Sequence, residues 1–266
     1  MAATQRPTEE DVFDLQIGLG QSCVAIEDRH FFDIAGYLEL GKLLSPSQVQ
    51  QARAQLQTAR AEKDDQIEQW IHIIEAGGVL EDAMALTSVQ PYLQEFIWGN
   101  QYRLVGSRAS LQPSRGQQRL KQGGRADKRR YARYRCTGEG QFRCLMMSLY
   151  IALEPLALKV VPGSHKAEFP HPYADIPLEQ IPPLRWLELA PGAGVLFTES
   201  LAYAVGDYPS ERRWLAYHYG PSYMVDWPGC EPSDSLLRRV ATDPLKKHVM
   251  LAPYYHPEDA QKKQSR

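Results

Sequence analysis

From about residue 100 onward, the sequence consists of short β-branched or aromatic runs that clusters of glycine and proline separate. Such runs are typical of strands rather than helices. Between Arg213 and Tyr219 the residues alternate between two faces, with Trp214, Ala216 and His218 on one of them. We predict strands at residues 102–106, 141–153, 157–161, 185–189, 194–198 and 213–219.

The chain before residue 100 has the apolar spacing of helices. Ser45 suits the N-cap of a helix and Pro46 its first position, so a helix is predicted from there to about residue 63. Further stripes at residues 67–74 and 86–97 repeat the helical spacing. Helices followed by many short strands indicate a mainly β fold with two sheets and a helical buttress. The predicted divisions are an N-terminal arm at 1–28, a single domain at 29–230 and a C-terminal helical or irregular tail at 231–266.

Charge and cysteine content argue against several kinds of partner. A net charge of −2 gives no electrostatic reason to expect nucleic acid or an anionic membrane surface. The four cysteines are scattered, which argues against a zinc knuckle or a disulfide scaffold and favours free thiols in the cytoplasm. A basic run from Lys121 to Arg135 is either a solvated loop, which we prefer, or a feature that attracts an anionic substrate. We expect a small-molecule partner, and the sequence leaves the oligomeric state open.

Several motifs occur in the order seen in one enzyme family. Val161-Pro-Gly-Ser-His-Lys follows a strand, Gly194-Val-Leu-Phe ends a second, and Arg212-Arg213 opens a third. Together with Phe32-Asp-Ile-Ala-Gly-Tyr-Leu-Glu-Leu and Gln122-Gly-Gly, they resemble the phytanoyl-CoA dioxygenase family over residues 28–228. The resemblance implies a double-stranded β-helix, the cupin-like jelly roll of oxygenases that use iron and 2-oxoglutarate.

The resemblance also implies an iron(II) site of two histidines and one carboxylate, with open positions for 2-oxoglutarate and oxygen. The chain departs from this pattern: it contains no His-x-Asp, and the expected histidine positions hold Gln122 and Tyr203. Neither glutamine nor neutral tyrosine replaces imidazole well on iron(II). Asp127 and His165 are the weak candidate ligands. A histidine in a Pro-Gly-Ser-His-Lys turn is expected, rather, to fix the turn through hydrogen bonds.

In this family an arginine beyond the second histidine is implied to bind the far carboxylate of 2-oxoglutarate. Arg212 and Arg213 occupy this place, and only one of two adjacent strand residues faces the interior. We predict that Arg213 is the inward residue, because it shares a face with Leu215 and Tyr217. Its alternative role is a surface ion pair with Glu211.

Two functions are compatible with these residues. The first is an enzyme or binding protein that acts on a small apolar organic substrate after loss of the iron site. Glu199 as a base with a raised pKa, and Tyr203 as an acid, would suit a metal-free isomerisation or cyclisation. Gln122, Tyr134 and Tyr203 are expected to line the substrate pocket, whereas His218 is interpreted as a packing residue. The alternative is an active iron/2-oxoglutarate-dependent hydroxylase with non-standard ligands.

Overall fold

The computed structural model describes residues 24–63, 69–97, 102–110, 120–122, 134–136, 142–166, 173, 176–206 and 213–253. The helices are α1 (Ile26–Ala35), α2 (Pro46–Lys63), α3 (Gly78–Asp82), α4 (Gln90–Phe96), α5 (Asp234–Val240) and α6 (Pro244–Val249). The strands are β1 (Tyr37–Lys42), β2 (Gln69–Ile71), β3 (Tyr102–Ser110), β4 (Lys121–Gln122), β5 (Tyr134–Cys136), β6 (Phe142–Cys144), β7 (Met147–Ala152), β8 (Leu156–Val161), β9 (Arg185–Leu189), β10 (Ala193–Thr198), β11 (Ala202–Val205) and β12 (Trp214–Pro221).

The strands form two antiparallel sheets and a separate β5–β6 hairpin. One sheet has the order β1-β10-β7-β12-β3-β2 and the other the order β4-β11-β8-β9. Apolar side chains from both sheets pack into one cluster, which includes Tyr150, Phe197 and Trp214 from the first sheet and Leu158 and Tyr203 from the second. This cluster is the interior of a jelly roll, which confirms the predicted fold class.

Helices cover the outer face of the six-stranded sheet. Leu215 on β12 packs there in a second apolar cluster that contains Leu80 of α3. The hydroxyls of Tyr217 and Tyr219 donate to the carbonyls of Leu80 and Met84, each at 2.8 Å. Among the described residues, no helix combines the length and the hydropathy needed to cross a membrane.

The start of α2 lies where the sequence predicts it. The Ser45 hydroxyl accepts a hydrogen bond from the backbone of Gln48 at 3.2 Å, and the Gln48 side chain accepts one from the backbone of Ser45 at 2.9 Å. These two reciprocal bonds form a capping box. They satisfy amides that the first helical turn leaves without partners.

The helix predicted over residues 67–74 is wrong. Gln69–Ile71 is an edge strand that pairs with residues 108–110 of β3. His72 then adopts a φ of 61°, which ends the strand, and the buried Ile73 and Ile74 follow in a 3-10 turn. A short strand joined to a tight turn thus produces apolar spacing that resembles that of a helix.

Residues 231–253, the described part of the predicted tail, pack on the domain. Arg103 on β3 is completely buried and donates to the carbonyls of Met224 and Leu251. It also pairs with Asp226 at 2.6 Å. The helices α5 and α6 contribute Leu236, Val240 and Val249 to the cluster beneath the outer face of the sheet, and Met250 joins it directly after α6.

His165 holds the Pro-Gly-Ser-His-Lys turn. Ser164–Lys166 forms a 3-10 turn, and the buried His165 ring donates from Nε2 to the carbonyl of Asp33 at 3.1 Å. Gly36 has a φ of 84°, and a Cβ at this position would lie 2.5 Å from Nδ1 of His165. The ring therefore joins the turn to the end of α1, in agreement with the structural role expected from the sequence.

We expect the folded protein to lose stability as the pH falls below neutrality, in part because of His165. Burial lowers the pKa of His165 from 6.5 to about 4, so between these values the unfolded chain binds a proton that the folded chain excludes. The contribution of the neutral ring is complete above the higher value and is lost toward the lower one, at up to about 3 kcal/mol. Urea unfolding of the wild type and of His165→Gln across this range measures the effect. The variant should be less stable at neutral pH but less sensitive to pH, and equal slopes would contradict the prediction.

Candidate functional site

Polar side chains meet inside the jelly roll, and we call them the inner polar cluster. They come from β3, β7, β11 and β12 and from the bend after β10. The members are Arg108, Ser148, Tyr150, Glu199, Tyr203 and His218.

Strand register brings most of these residues together. His218 on β12 lies opposite Ser148 on β7, and Ala216 lies between Arg108 on one neighbouring strand and Tyr150 on the other. Ser148 and Tyr150 are two residues apart, so they share one face of the strand. Because Ala216 is small, Nη2 of Arg108 reaches across it to the Tyr150 hydroxyl at 3.0 Å.

Glu199, which is partly buried, forms a hydrogen-bonded triplet with the buried Ser148 and His218. The Ser148 hydroxyl donates to Oε1 of Glu199 and lies 2.6 Å from Nδ1 of His218, which is itself 3.3 Å from Oε1. The Ser148 hydroxyl has one proton, which it donates to the carboxylate. The hydrogen bond between Ser148 and His218 therefore uses a proton on Nδ1 of His218, which fixes the assigned tautomer. Nε2 of His218 is buried and has no hydrogen-bond partner among the described residues. The ring of Trp227 covers the imidazole at a centroid distance of 4.3 Å.

The protonation states of the triplet follow from its surroundings. Burial lowers the pKa of His218, so the ring is neutral at neutral pH. Burial alone would raise the pKa of Glu199, but hydrogen bonds from His218 and Ser148, together with the charge of Arg108, bring it below the ordinary value. The raised pKa predicted for Glu199 is therefore wrong, because a buried carboxylate with donors and a cation beside it is stabilised in its charged form.

The two tyrosines of the cluster lie beside this triplet. The hydroxyls of Tyr150 and Tyr203 are 3.1 Å apart, and Tyr203 is 4% exposed. Burial, followed by the effects of Tyr150 and of the Glu199 charge, raises the pKa of Tyr203 well above its ordinary value. Tyr203 therefore remains a neutral phenol, which is a weak acid but a good hydrogen-bond donor. The structure thus brings Glu199 and Tyr203 into one electrostatically coupled group.

Strand β4 places a lysine opposite Tyr203. Lys121 pairs directly with Tyr203, and Gln122 pairs with Ala202. Residues directly opposite one another project from the same face of a sheet, so Lys121 shares the face of Tyr203. Lys121, rather than Gln122, is thus the residue paired with Tyr203, which the sequence analysis does not predict.

The remaining predicted pocket and metal residues lie elsewhere or outside the described part of the chain. The hydroxyl of Tyr134 donates to Asp33, and its ring contacts His165 at 4.5 Å between centroids. These partners are not members of the inner polar cluster. Asp127, Arg212 and the side chain of Gln122 are outside the described residues.

Arg213 does not point into the interior. Trp214 belongs to the interior cluster, whereas Leu215 belongs to the cluster beneath the helices. Arg213 donates from Nε to Glu154 at 2.9 Å, and its Nη2 lies 2.7 Å from the same carboxylate. The predicted inward orientation is wrong, because β12 is buried on both faces and its alternation does not reveal which face is the interior.

The described residues do not fit an iron site of the two-histidine, one-carboxylate type. None of their His, Cys, Asp and Glu side chains form a group of three or more that could hold a metal ion. Within the inner polar cluster only His218 and Glu199 are potential ligands, and the charges of Arg108 and Lys121 act on the same carboxylate. Two neighbouring cations would repel a divalent ion bound there.

A cleft of about 580 Å³ lies outside the sandwich, between β1, α2 and the β9–β10 turn. Its lining includes Lys42, Arg53 and Glu188 but no member of the inner polar cluster. Arg53 in this cleft already pairs with Glu154 at 3.1 Å. We therefore take the inner polar cluster, which holds the buried titratable groups, as the candidate site.

Sequence reasoning found only part of this site. The sequence predicts Glu199 and Tyr203 as site residues and His218 as a packing residue, but it does not indicate Arg108 or Ser148. The available signal was the hydroxyl of Ser148 in the otherwise apolar strand Met147–Ala152. A single serine in a strand that is buried throughout requires a hydrogen-bond partner, which here is supplied by Glu199.

No family model and no curated protein matches the sequence. Solved structures match it over most of its length. Apo HygX from Streptomyces hygroscopicus superposes with a TM-score of 0.64 at 18% identity, covering 80% of this chain and 94% of HygX. EctD from S. alaskensis in its apoform gives a TM-score of 0.57 at 16% identity, with 76% and 79% covered. The epimerase SnoN, in complex with Fe3+, alpha ketoglutarate and nogalamycin RO, gives 0.57 at 14% identity, with 85% and 94% covered.

HygX has also been solved with nickel, 2-oxoglutarate and hygromycin B bound. At identities this low, the similarity establishes architecture rather than activity. The chain has the jelly-roll fold of the iron/2-oxoglutarate-dependent oxygenases.

Proposed function

We propose that this chain is a small-molecule enzyme that transfers protons without iron, and that it is a divergent relative of the phytanoyl-CoA dioxygenase-like oxygenases. The observation that carries the proposal is the hydrogen-bonded triplet in which the buried Ser148 and His218 hold the partly buried Glu199. Two cations, Arg108 and Lys121, lie beside this triplet. An iron oxygenase would need further metal ligands there instead.

Glu199 serves as the proton acceptor. Its carboxylate is ionised, Oε1 is held by Ser148, and no described residue hydrogen-bonds Oε2. A proton that leaves a carbon or hydroxyl of the substrate passes to Glu199 and returns to a different atom of the same molecule. This sequence regenerates the carboxylate and needs no oxidant, which fits an isomerisation or a ring closure.

The tyrosines stabilise the charge that such a transfer creates. Because the pKa of Tyr203 lies far above its ordinary value, its phenol stays protonated and donates a hydrogen bond. Donors fixed in a water-poor interior stabilise a developing negative charge more strongly than water does. Ser148 and His218 keep the Glu199 carboxylate in one orientation, so they act as positioning residues.

Iron binding and 2-oxoglutarate turnover separate this proposal from an oxygenase. In a titration under argon, we expect no stoichiometric tight site for iron(II), and we expect no succinate from 2-oxoglutarate once oxygen is admitted. HygX, which has been solved with iron and with 2-oxoglutarate bound, is the positive control.

A second experiment detects the proposed proton transfer without knowledge of the substrate. The protein is incubated with EDTA in deuterated water containing small molecules from a cell extract, and mass spectrometry identifies compounds that gain deuterium. Heat-inactivated protein is the control. One tight iron(II) site accompanied by 2-oxoglutarate turnover would overturn the proposal.

The similarity to HygX and SnoN favours an iron/2-oxoglutarate-dependent hydroxylase as the second candidate function. In that case Arg212 or Arg213 would bind 2-oxoglutarate, and Asp127 with His165 would be among the iron ligands. The iron titration decides between the two functions.

A further inference from the structure

The guanidinium of Arg108, which is partly buried and has no carboxylate partner among the described residues, indicates the class of ligand. Arg108 donates from Nη2 to the Tyr150 hydroxyl at 3.0 Å, and the described residues provide no carboxylate within ion-pair distance. Arg103, on the same strand, differs because it pairs with Asp226 at 2.6 Å. Partial removal of an arginine from water is costly, and a bound anion offsets this cost.

Lys121 adds a second positive charge on the same side. It lies directly opposite Tyr203 and shares the face of that residue, while Lys121 itself is exposed to solvent. Burial and the charge of Arg108 lower the pKa of Lys121, which indicates that the two cations lie near each other. Glu199 acts on both cations, yet its Oε1 is already bound within the triplet. Arg108 is partly buried and Lys121 is exposed, so two positive charges lie at the solvent-accessible side of the cluster, beside the one negative charge of Glu199.

We propose that Arg108 and Lys121 bind the carboxylate of an organic acid, so that the substrates are small carboxylic acids with an apolar body. One bound carboxylate would bring the charges at this side of the cluster to two positive and two negative. The guanidinium of Arg108 retains donors at Nε and Nη1, and a planar carboxylate accepts paired hydrogen bonds from such a fork. The claim that these acids are substrates rests on the proposed function. The claim that the chain binds them does not.

The apolar body of such an acid would adjoin the aromatic rings of the interior. The ring of Phe197 lies 5.0 Å from that of Tyr150 and 4.9 Å from that of Tyr203, measured between centroids. A ligand held by Arg108 thus contacts aromatic carbon on one side and meets the Glu199 carboxylate within the same cluster. Phosphate esters fit less well, because their second negative charge would exceed the available positive charge.

Calorimetric titration in EDTA tests this proposal with two acids, benzoate and hexanoate, each compared with its neutral amide. We expect the acids to bind about ten- to a hundredfold more tightly than the amides, as charge-assisted hydrogen bonds predict. Arg108→Gln should remove this preference, and Arg108→Lys should retain part of it. Arg185→Gln, the matched control, removes the same charge from an exposed position on β9 and should leave acid binding unchanged.

Several results would overturn the assignment. They are equal binding of acid and amide, retained acid binding in Arg108→Gln, or binding of inorganic phosphate alone. A fourth such result is that the wild type binds no acid and that Arg108→Gln mainly lowers the melting temperature. In that case a carboxylate of the chain itself forms an ion pair with Arg108. No turnover is measured and no metal is present, so these failures leave the proton-transfer proposal standing. A tight iron(II) site, conversely, would remove that proposal and leave this one.

Discussion

Replacement of Glu199 by glutamine should lower the enzyme-dependent deuterium exchange by about 100- to 10,000-fold, the range expected for loss of a general base. Glutamine preserves the size of the side chain and one carbonyl oxygen for Ser148, but it cannot accept the substrate proton. Tyr203→Phe should cause a smaller loss, since it removes a hydrogen bond rather than the proton acceptor. The measurement is the initial rate of exchange for a compound identified in the deuterated extract.

Two controls connect this loss to the carboxylate itself. Glu179→Gln, on an exposed 3-10 turn, should leave the rate unchanged. The pKa of Glu199 lies below its ordinary value, so the wild-type rate should hold through mildly acidic pH and fall only as that carboxylate becomes protonated. A rate in Glu199→Gln within about threefold of the wild type would rule out Glu199 as the base, because it leaves less than about 1 kcal/mol for its role.

Replacement of Arg103 by leucine should lower the free energy of unfolding by about 3–5 kcal/mol. The change leaves the Asp226 carboxylate without its cation, and it also leaves the carbonyls of Met224 and Leu251 without their donor. Since these partners lie beyond β12, the loss should also loosen the C-terminal segment from β3. Denaturant unfolding followed by circular dichroism measures the effect.

A second variant separates the charge from the packing of Arg103. Asp226→Asn retains an acceptor for the guanidinium and should cost only about 1–2 kcal/mol. In Arg103→Leu/Asp226→Asn, the loss should be smaller than the sum of the two single losses, because no unpaired carboxylate remains. A loss below about 1 kcal/mol for Arg103→Leu would contradict a structural role for this ion pair.

Local chemistry allowed much of the fold to be predicted. The α2 start follows from Ser45 and Pro46, and strands such as β9 and β10 follow from short runs with turn residues on both sides. Strand β2 was missed because its three residues acquire strand structure only by pairing with β3. Pairing across distant sequence positions overrides local apolar spacing in such short segments.

The candidate site was less predictable because it depends on register. Glu199 and Tyr203 are near each other in sequence, and a pattern of motifs pointed to them. Arg108, Ser148 and His218 meet only because three strands align residue for residue. The pKa of Glu199 likewise depends on neighbours that the sequence does not place beside it.

Because both faces of β12 are buried, the chain needs something other than hydrophobicity to keep this strand in its native register. A shift of one residue would exchange the two faces of this strand, and hydrophobicity opposes that shift little because both faces are buried. Hydrogen bonds oppose it strongly: Tyr217 and Tyr219 would lose their carbonyl acceptors outside, and His218 would lose Ser148 inside. Each buried polar group left unsatisfied costs about 1–3 kcal/mol. His218 inside the jelly roll, and Tyr217 and Tyr219 outside it, therefore distinguish the native register of the sheet from a shifted one.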